Sequence, residues 1–136
     1  MEGSISDRQK LLRNSLIGNA VFSMLSAVII FASGEWLSRF LGLHDRIALT
    51  VLAVGLIGYA FVLLVNARRP EIKISDAWTA VVLDVVWVLG SYVLIFVMPF
   101  SAGGKWLIVA VAEIVFCFAL LQSLGVRRVR RSERTA

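Results

Sequence analysis

Cysteine occurs once in this 136-residue chain, at Cys117, and histidine once, at His44. A lone cysteine excludes an intrachain disulfide and a cysteine-based metal cluster, and its simplest role is that of a small buried apolar side chain. One histidine cannot supply both axial ligands of a haem, nor a His/Cys set for zinc, so neither a cofactor nor a metal is expected. Beside Asp45 and between two apolar runs, His44 reads as a solvated loop residue. Charge is missing where it is most telling: four long runs carry no Lys or Arg, and between them hold two acids, Asp84 and Glu113. The runs also lack the charged face of a soluble helix bundle and the apolar/polar alternation of a membrane β-barrel strand.

What remains is hydrocarbon. The chain is 59% hydrophobic with a mean hydropathy of +0.84, above the roughly 45–50% apolar share of an ordinary soluble domain. The apolar runs are Ser15 to Ser33, Ile47 to Val65, Ala77 to Met98 and Trp106 to Leu124, each near the ~20 residues that a helix needs to cross ~30 Å of hydrocarbon. The expected fold is an all-α integral membrane protein. It is a single domain over residues 1–136, a four-transmembrane-helix up-down bundle with a basic tail at 125–136.

Eleven of the 14 Lys and Arg residues lie on one side of these spans: Arg8, Lys10 and Arg13, then Arg68, Arg69 and Lys73, then Arg127, Arg128, Arg130, Arg131 and Arg134. Arg39, Arg46 and Lys105 lie on the other. The positive-inside rule then puts both termini in the cytoplasm, with a plasma or bacterial inner membrane as the expected location. The bias argues against insertion in two orientations. The basic tail is a topology signal with attraction to anionic lipid rather than a nucleic-acid site. Although the first run follows a basic leader and ends near Ala32, Ser33 and Gly34, it is long for a signal peptide and reads as a retained span.

Local signals set the element ends. Ser6 and Gln9 have capping-box spacing, which starts the first helix around Asp7, and Arg13 can snorkel to headgroups. Trp36, Leu37, Phe40 and Leu41 share one side of a short interfacial helix that Gly42 ends. Asp45 is the expected N-cap of helix two and Ser75 or Asp76 that of helix three, with Pro70 closing the loop between them. Pro99, Gly103 and Gly104 form the outer turn. Trp36 and Trp106 mark the outer boundary and Trp78 the inner one, while Trp87 lies mid-span, where its indole N–H needs an acceptor.

Steps of three and four residues put Ala77, Ala80, Asp84, Trp87, Ser91, Leu94 and Met98 on one stripe of helix three, and Ser15, Asn19, Ser23 and Ser26 on one of helix one. Helix two offers a small-residue face, Gly55, Gly58 and Val62. Helix four aligns Trp106, Ala110, Glu113, Cys117 and Leu120. At ~1.5 Å rise per residue, Asp84 falls ~5 Å to the cytoplasmic side of centre and Glu113 ~3 Å to the outer side. Two polar tiers follow, an inner one of Asp84 with Tyr59, Asn19 and Ser23, and an outer one of Glu113 with Ser26 and Ser91. An ionised acid in hydrocarbon costs ~3 kcal/mol or more, so at least one of the two is expected to be neutral and to donate a hydrogen bond. If they lie within reach of each other, they titrate as a coupled pair.

Three functions fit this pattern. The first is a non-enzymatic accessory or assembly subunit that uses its polar stripe to knit its own bundle or to dock on a larger membrane complex. The alternative is a proton-coupled transporter of small molecules or cations, working as an oligomer through Asp84 and Glu113, with Trp87 and Tyr59 lining its cavity. In size and helix count the chain is similar to the small multidrug resistance family. The essential glutamate of that family lies in its first helix, and the first span here has no acid, so no site residue transfers. The third function, an enzyme acting on a lipid or isoprenoid, lacks the gathered His, paired acids or nucleophile that such chemistry uses. Expected partners are the lipid bilayer and either further copies or a larger membrane complex.

Overall fold

In the computed structural model the backbone is described for residues 2–135 and the side chains for residues 9–134. The chain forms four helices, α1 (Glu2–Leu41), α2 (Ile47–Ala67), α3 (Ile74–Val97) and α4 (Ala102–Thr135), with no strand among the described residues. All four are long and apolar enough to cross a membrane. Large apolar side chains such as Val51, Phe61, Phe96 and Trp106 point outward, the reverse of a soluble bundle.

The two ends of the bundle are tied by loop contacts. At the terminal end, the Gln9 Oε1 accepts the Ile72 N–H at 3.3 Å, and Arg13 Nη2 donates to the carbonyls of Arg69 (2.9 Å) and Pro70 (3.2 Å). A guanidinium there suits the electron-rich C-terminal end of α2. Arg13 therefore binds the α2–α3 loop. The backbone of α1 is already helical from Glu2, so Ser6 lies inside the helix and not at its cap, and the Gln9 amide serves the loop instead of a capping box.

At the opposite end α1 bends at Ser33 (φ −124°, ψ 22°), whose hydroxyl donates to the Ile29 carbonyl one turn back. Such back-bonding commonly bends a helix. Helical structure resumes to Leu41, where Gly42 takes a φ of +81°. The Leu43 N–H then reaches the Ser38 carbonyl (2.8 Å) and the Gly42 N–H that of Arg39 (3.1 Å), which is the Schellman arrangement that glycine permits. Arg46, not Asp45, is the cap residue of α2; Asp45 lies one position earlier, and its Oδ1 accepts the Ile47 N–H at 3.0 Å. Helix α3 starts earlier than Ser75 or Asp76: Lys73 is its cap residue, the Lys73 N–H goes to Asn66 Oδ1, and Asp76 faces Arg69 at 3.7 Å. Helix α4 is capped by Ser101, whose Oγ accepts the Gly104 N–H at 3.0 Å. Gly103 and Gly104 thus belong to its first turn rather than to the preceding loop. Both glycines let α4 start close against the end of α1: a Cβ at 103 would lie 2.9 Å from the tip of the Phe40 ring and one at 104 would lie 3.1 Å from Leu41 Cα. The basic tail continues α4 without a break.

Helix α1 packs on α2 and α4, and α3 packs on α4, while α2 and α3 barely touch. Helices α1 and α4 approach closely at Gly125, where a Cβ would come within 2.8 Å of Leu12 Cα. Leu12, Leu16, Leu63, Ala77 and Val126 form the apolar core of the terminal end, and Ala27, Ile30, Leu49 and Ala53 that of the other.

Two expected faces are rotated. Gly55, Gly58 and Val62 of α2 are exposed, with open space at both glycines; the buried face is Leu49, Ala53, Ala60, Leu63, Asn66 and Ala67. In α4 the stripe Trp106, Ala110, Glu113, Cys117 and Leu120 faces outward, and Ala112, Val115, Ala119, Gln122, Val126 and Val129 face in. Small apolar residues line both sides of each helix, so apolarity cannot choose between them. The polar groups decide, because Asn66 and Gln122 must find partners inside.

Candidate functional site: the Asp84 carboxyl and the outward Glu113

One side chain from each helix meets at Asp84, which is 3% exposed. Its Oδ2 accepts from Asn19 Nδ2 of α1 at 2.8 Å and from Gln122 Nε2 of α4 at 3.2 Å. Its Oδ1 lies 2.8 Å from the Tyr59 hydroxyl of α2. Ala80 and Ala77, one and two turns before Asp84 on the same face of α3, are small enough to let the neighbouring helices close around it. Since α2 and α3 make few other contacts, Tyr59 bridges their open edge.

The Tyr59 hydroxyl also lies 3.2 Å from the Ala80 carbonyl. It has one proton and two acceptor neighbours. With Asp84 protonated at Oδ1, both contacts are filled: the carboxyl donates to Tyr59, Tyr59 donates to Ala80, and Oδ2 keeps the two amide N–H groups. Gln122 is wholly buried, and its Oε1 has no hydrogen-bond partner. No basic side chain is among the carboxyl's hydrogen-bond partners.

The inner group thus contains Asp84, Tyr59 and Asn19, with Ser23 buried one turn from Asn19 but not bonded to the carboxyl. Gln122 was not anticipated; it lies two residues from the end of its apolar run, where it passes for a boundary residue. The signal that could have found it is its spacing from Ala119, Val126 and Val129.

The outer tier does not assemble. Glu113 is exposed on the perimeter and accepts a hydrogen bond from the Tyr92 hydroxyl of α3 at 2.5 Å. Ser91 is buried and donates to the carbonyl of Trp87 on its own helix, Trp87 is half-buried, and Ser26 is half-buried on α1. Glu113 is nine residues from Gln122 along α4, about 13 Å at 1.5 Å per residue. The two acids therefore sit at different depths and on different faces, and they do not form a pair.

Among the described residues no group of three or more His, Cys, Asp and Glu is placed to hold a metal ion. His44 is exposed in the α1–α2 connection, on a cleft of about 290 Å³ that it shares with Asp45 and Pro99. A second cleft, of about 150 Å³, lies between α2 and α3 against Phe61, Asn66, Arg69 and Asp76. Neither is lined by Asp84 or Glu113. Compared with protein-family profiles, with curated proteins and with solved structures, the chain matches none.

Proposed function

We propose that this protein is a non-enzymatic accessory subunit that assembles with another integral membrane protein. Both termini and the Arg68 to Lys73 connection face the cytoplasm of a plasma or bacterial inner membrane. The excess of Lys and Arg at that end supports this orientation. The segment after the Ser33 bend lies along the outer interface. The stacked Trp36 and Phe40 rings, 5.1 Å apart with Trp36 62% exposed, suit the headgroup level there.

The observation that carries the reading is the division of labour between the acids. Asp84 is occupied by Asn19, Tyr59 and Gln122, which makes it the joint of the bundle. Glu113 faces outward with one partner of its own chain, on a surface where a polar group calls for another protein. A proton-coupled transporter acting through both acids is less well supported, because their depths differ by about 13 Å and Asp84 faces inward while Glu113 faces outward. Native mass spectrometry from gentle detergent tests the proposal: the expected species carries a second membrane protein, and a lone monomer in every condition refutes it.

A further inference from the structure

Resting on that reading, we infer that the Tyr92–Glu113 face of α3 and α4 docks a transmembrane helix of a different protein that carries a lysine or arginine at the depth of Glu113. Within the four apolar runs only Asp84 and Glu113 are charged, and Asp84 faces inward. Glu113 is therefore the charge that the spans present to their surroundings. It lies seven residues inside Trp106, about 10 Å into the span, where an ionised acid without a partner is costly. Tyr92 donates to Oε1 and leaves Oε2 to a partner. Ala110 and Cys117, three residues before and four after Glu113, are exposed on the same side, and small residues there let a second helix approach closely. Charge complementarity selects the occupant: ionisable groups inside a membrane pair with one another. A second copy of this chain would set Glu113 against Glu113, with no Lys or Arg in any run to answer it.

The full-length protein, reconstituted in phosphatidylcholine vesicles, is tested against synthetic single-span Leu/Ala helices that carry one central Lys, Leu or Glu. Energy transfer is read between a donor at the protein's C-terminus and an acceptor on the peptide. The Lys helix should associate about three- to tenfold more tightly than the Leu helix, the range expected of one interhelical polar contact. Glu113→Leu should bind both equally, and Glu113→Lys should prefer the Glu helix. Because Glu113 faces outward, all variants should keep wild-type helix content. Equal binding of the Lys and Leu helices by the wild-type protein overturns the inference, as does a Lys preference that persists in Glu113→Leu. Efficient oxidative linking of Cys117 to Cys117 that Glu113→Leu abolishes also overturns it, in favour of a second copy. If native mass spectrometry finds a protein partner while the Lys preference is absent, only this inference fails. A lone monomer removes the accessory role as well.

Discussion

Replacing Asp84 by leucine takes away the carboxyl to which Asn19, Tyr59 and Gln122 all hydrogen-bond. Interhelical hydrogen bonds in membranes contribute ~0.6 kcal/mol on average and ~1.7 at most, so three of them amount to about 2–5 kcal/mol. The loss falls on helices that are otherwise weakly joined, because Tyr59 is the bridge across the α2–α3 edge. Asp84→Asn behaves differently if the carboxyl is protonated. The Asn carbonyl oxygen takes the place of Oδ2 and accepts both amide N–H groups. Its NH2 takes the place of the acid proton and donates to Tyr59, which still donates to Ala80. The expected cost is under ~1 kcal/mol. Unfolding by SDS titration in mixed micelles, followed by circular dichroism, measures both variants, and infrared spectroscopy should show a protonated carboxyl band that Asp84→Asn removes. If Asn destabilises as much as Leu, the carboxyl is ionised and the proton assignment is wrong. If Leu is tolerated, Asp84 is not the joint of the bundle.

Other substitutions test the helix faces and caps. Gly125→Ala forces a Cβ to 2.8 Å from Leu12 Cα, and backbone cannot yield as a side-chain tip can; a loss of about 1–3 kcal/mol is expected in the same titration. Gly58→Leu meets open space, so stability should stay within ~0.5 kcal/mol of wild type or rise; a clear loss would mean that something packs there. Ser101→Ala removes the oxygen that caps α4 at Gly104 and the hydroxyl that donates to the Phe40 carbonyl; it should cost ~1 kcal/mol or more, with amide hydrogen exchange increased in the first turn of α4 and the last turn of α1.

Much of the fold follows from apolar run length, and the Asp84 group follows in part from depth. A rise of 1.5 Å per residue is enough to set Tyr59 and Asn19 level with Asp84, and the three do meet. Rotation about the helix axis is the quantity that run length leaves undetermined. For α1 and α3 the polar residues are spaced so that one rotation buries Ser15, Asn19 and Ser23, and another buries Asp84 and Ser91. For α2 and α4 both faces are apolar and small. Glycine suggested the contact face of α2 and Glu113 that of α4, and the buried faces are built on alanine and on Gln122.

That outcome has a physical reason that bears on how acids in apolar runs are read. Asp84 and Glu113 are equivalent in isolation, each a lone carboxyl amid hydrocarbon side chains. What separates them is the number of hydrogen-bonding side chains that other helices bring to their level: three for Asp84, from α1, α2 and α4, and one for Glu113, from α3. Turning α4 to bury Glu113 would expose Gln122, strip Asp84 of a donor, and move Gly125 away from its close approach to Leu12 of α1. The orientation of α4 is thus a choice among polar groups competing for the interior, and Glu113 loses it. An acid left on the outer surface by that competition is the group for which a partner outside the chain has most to offer, and on this the docking role proposed for Glu113 rests.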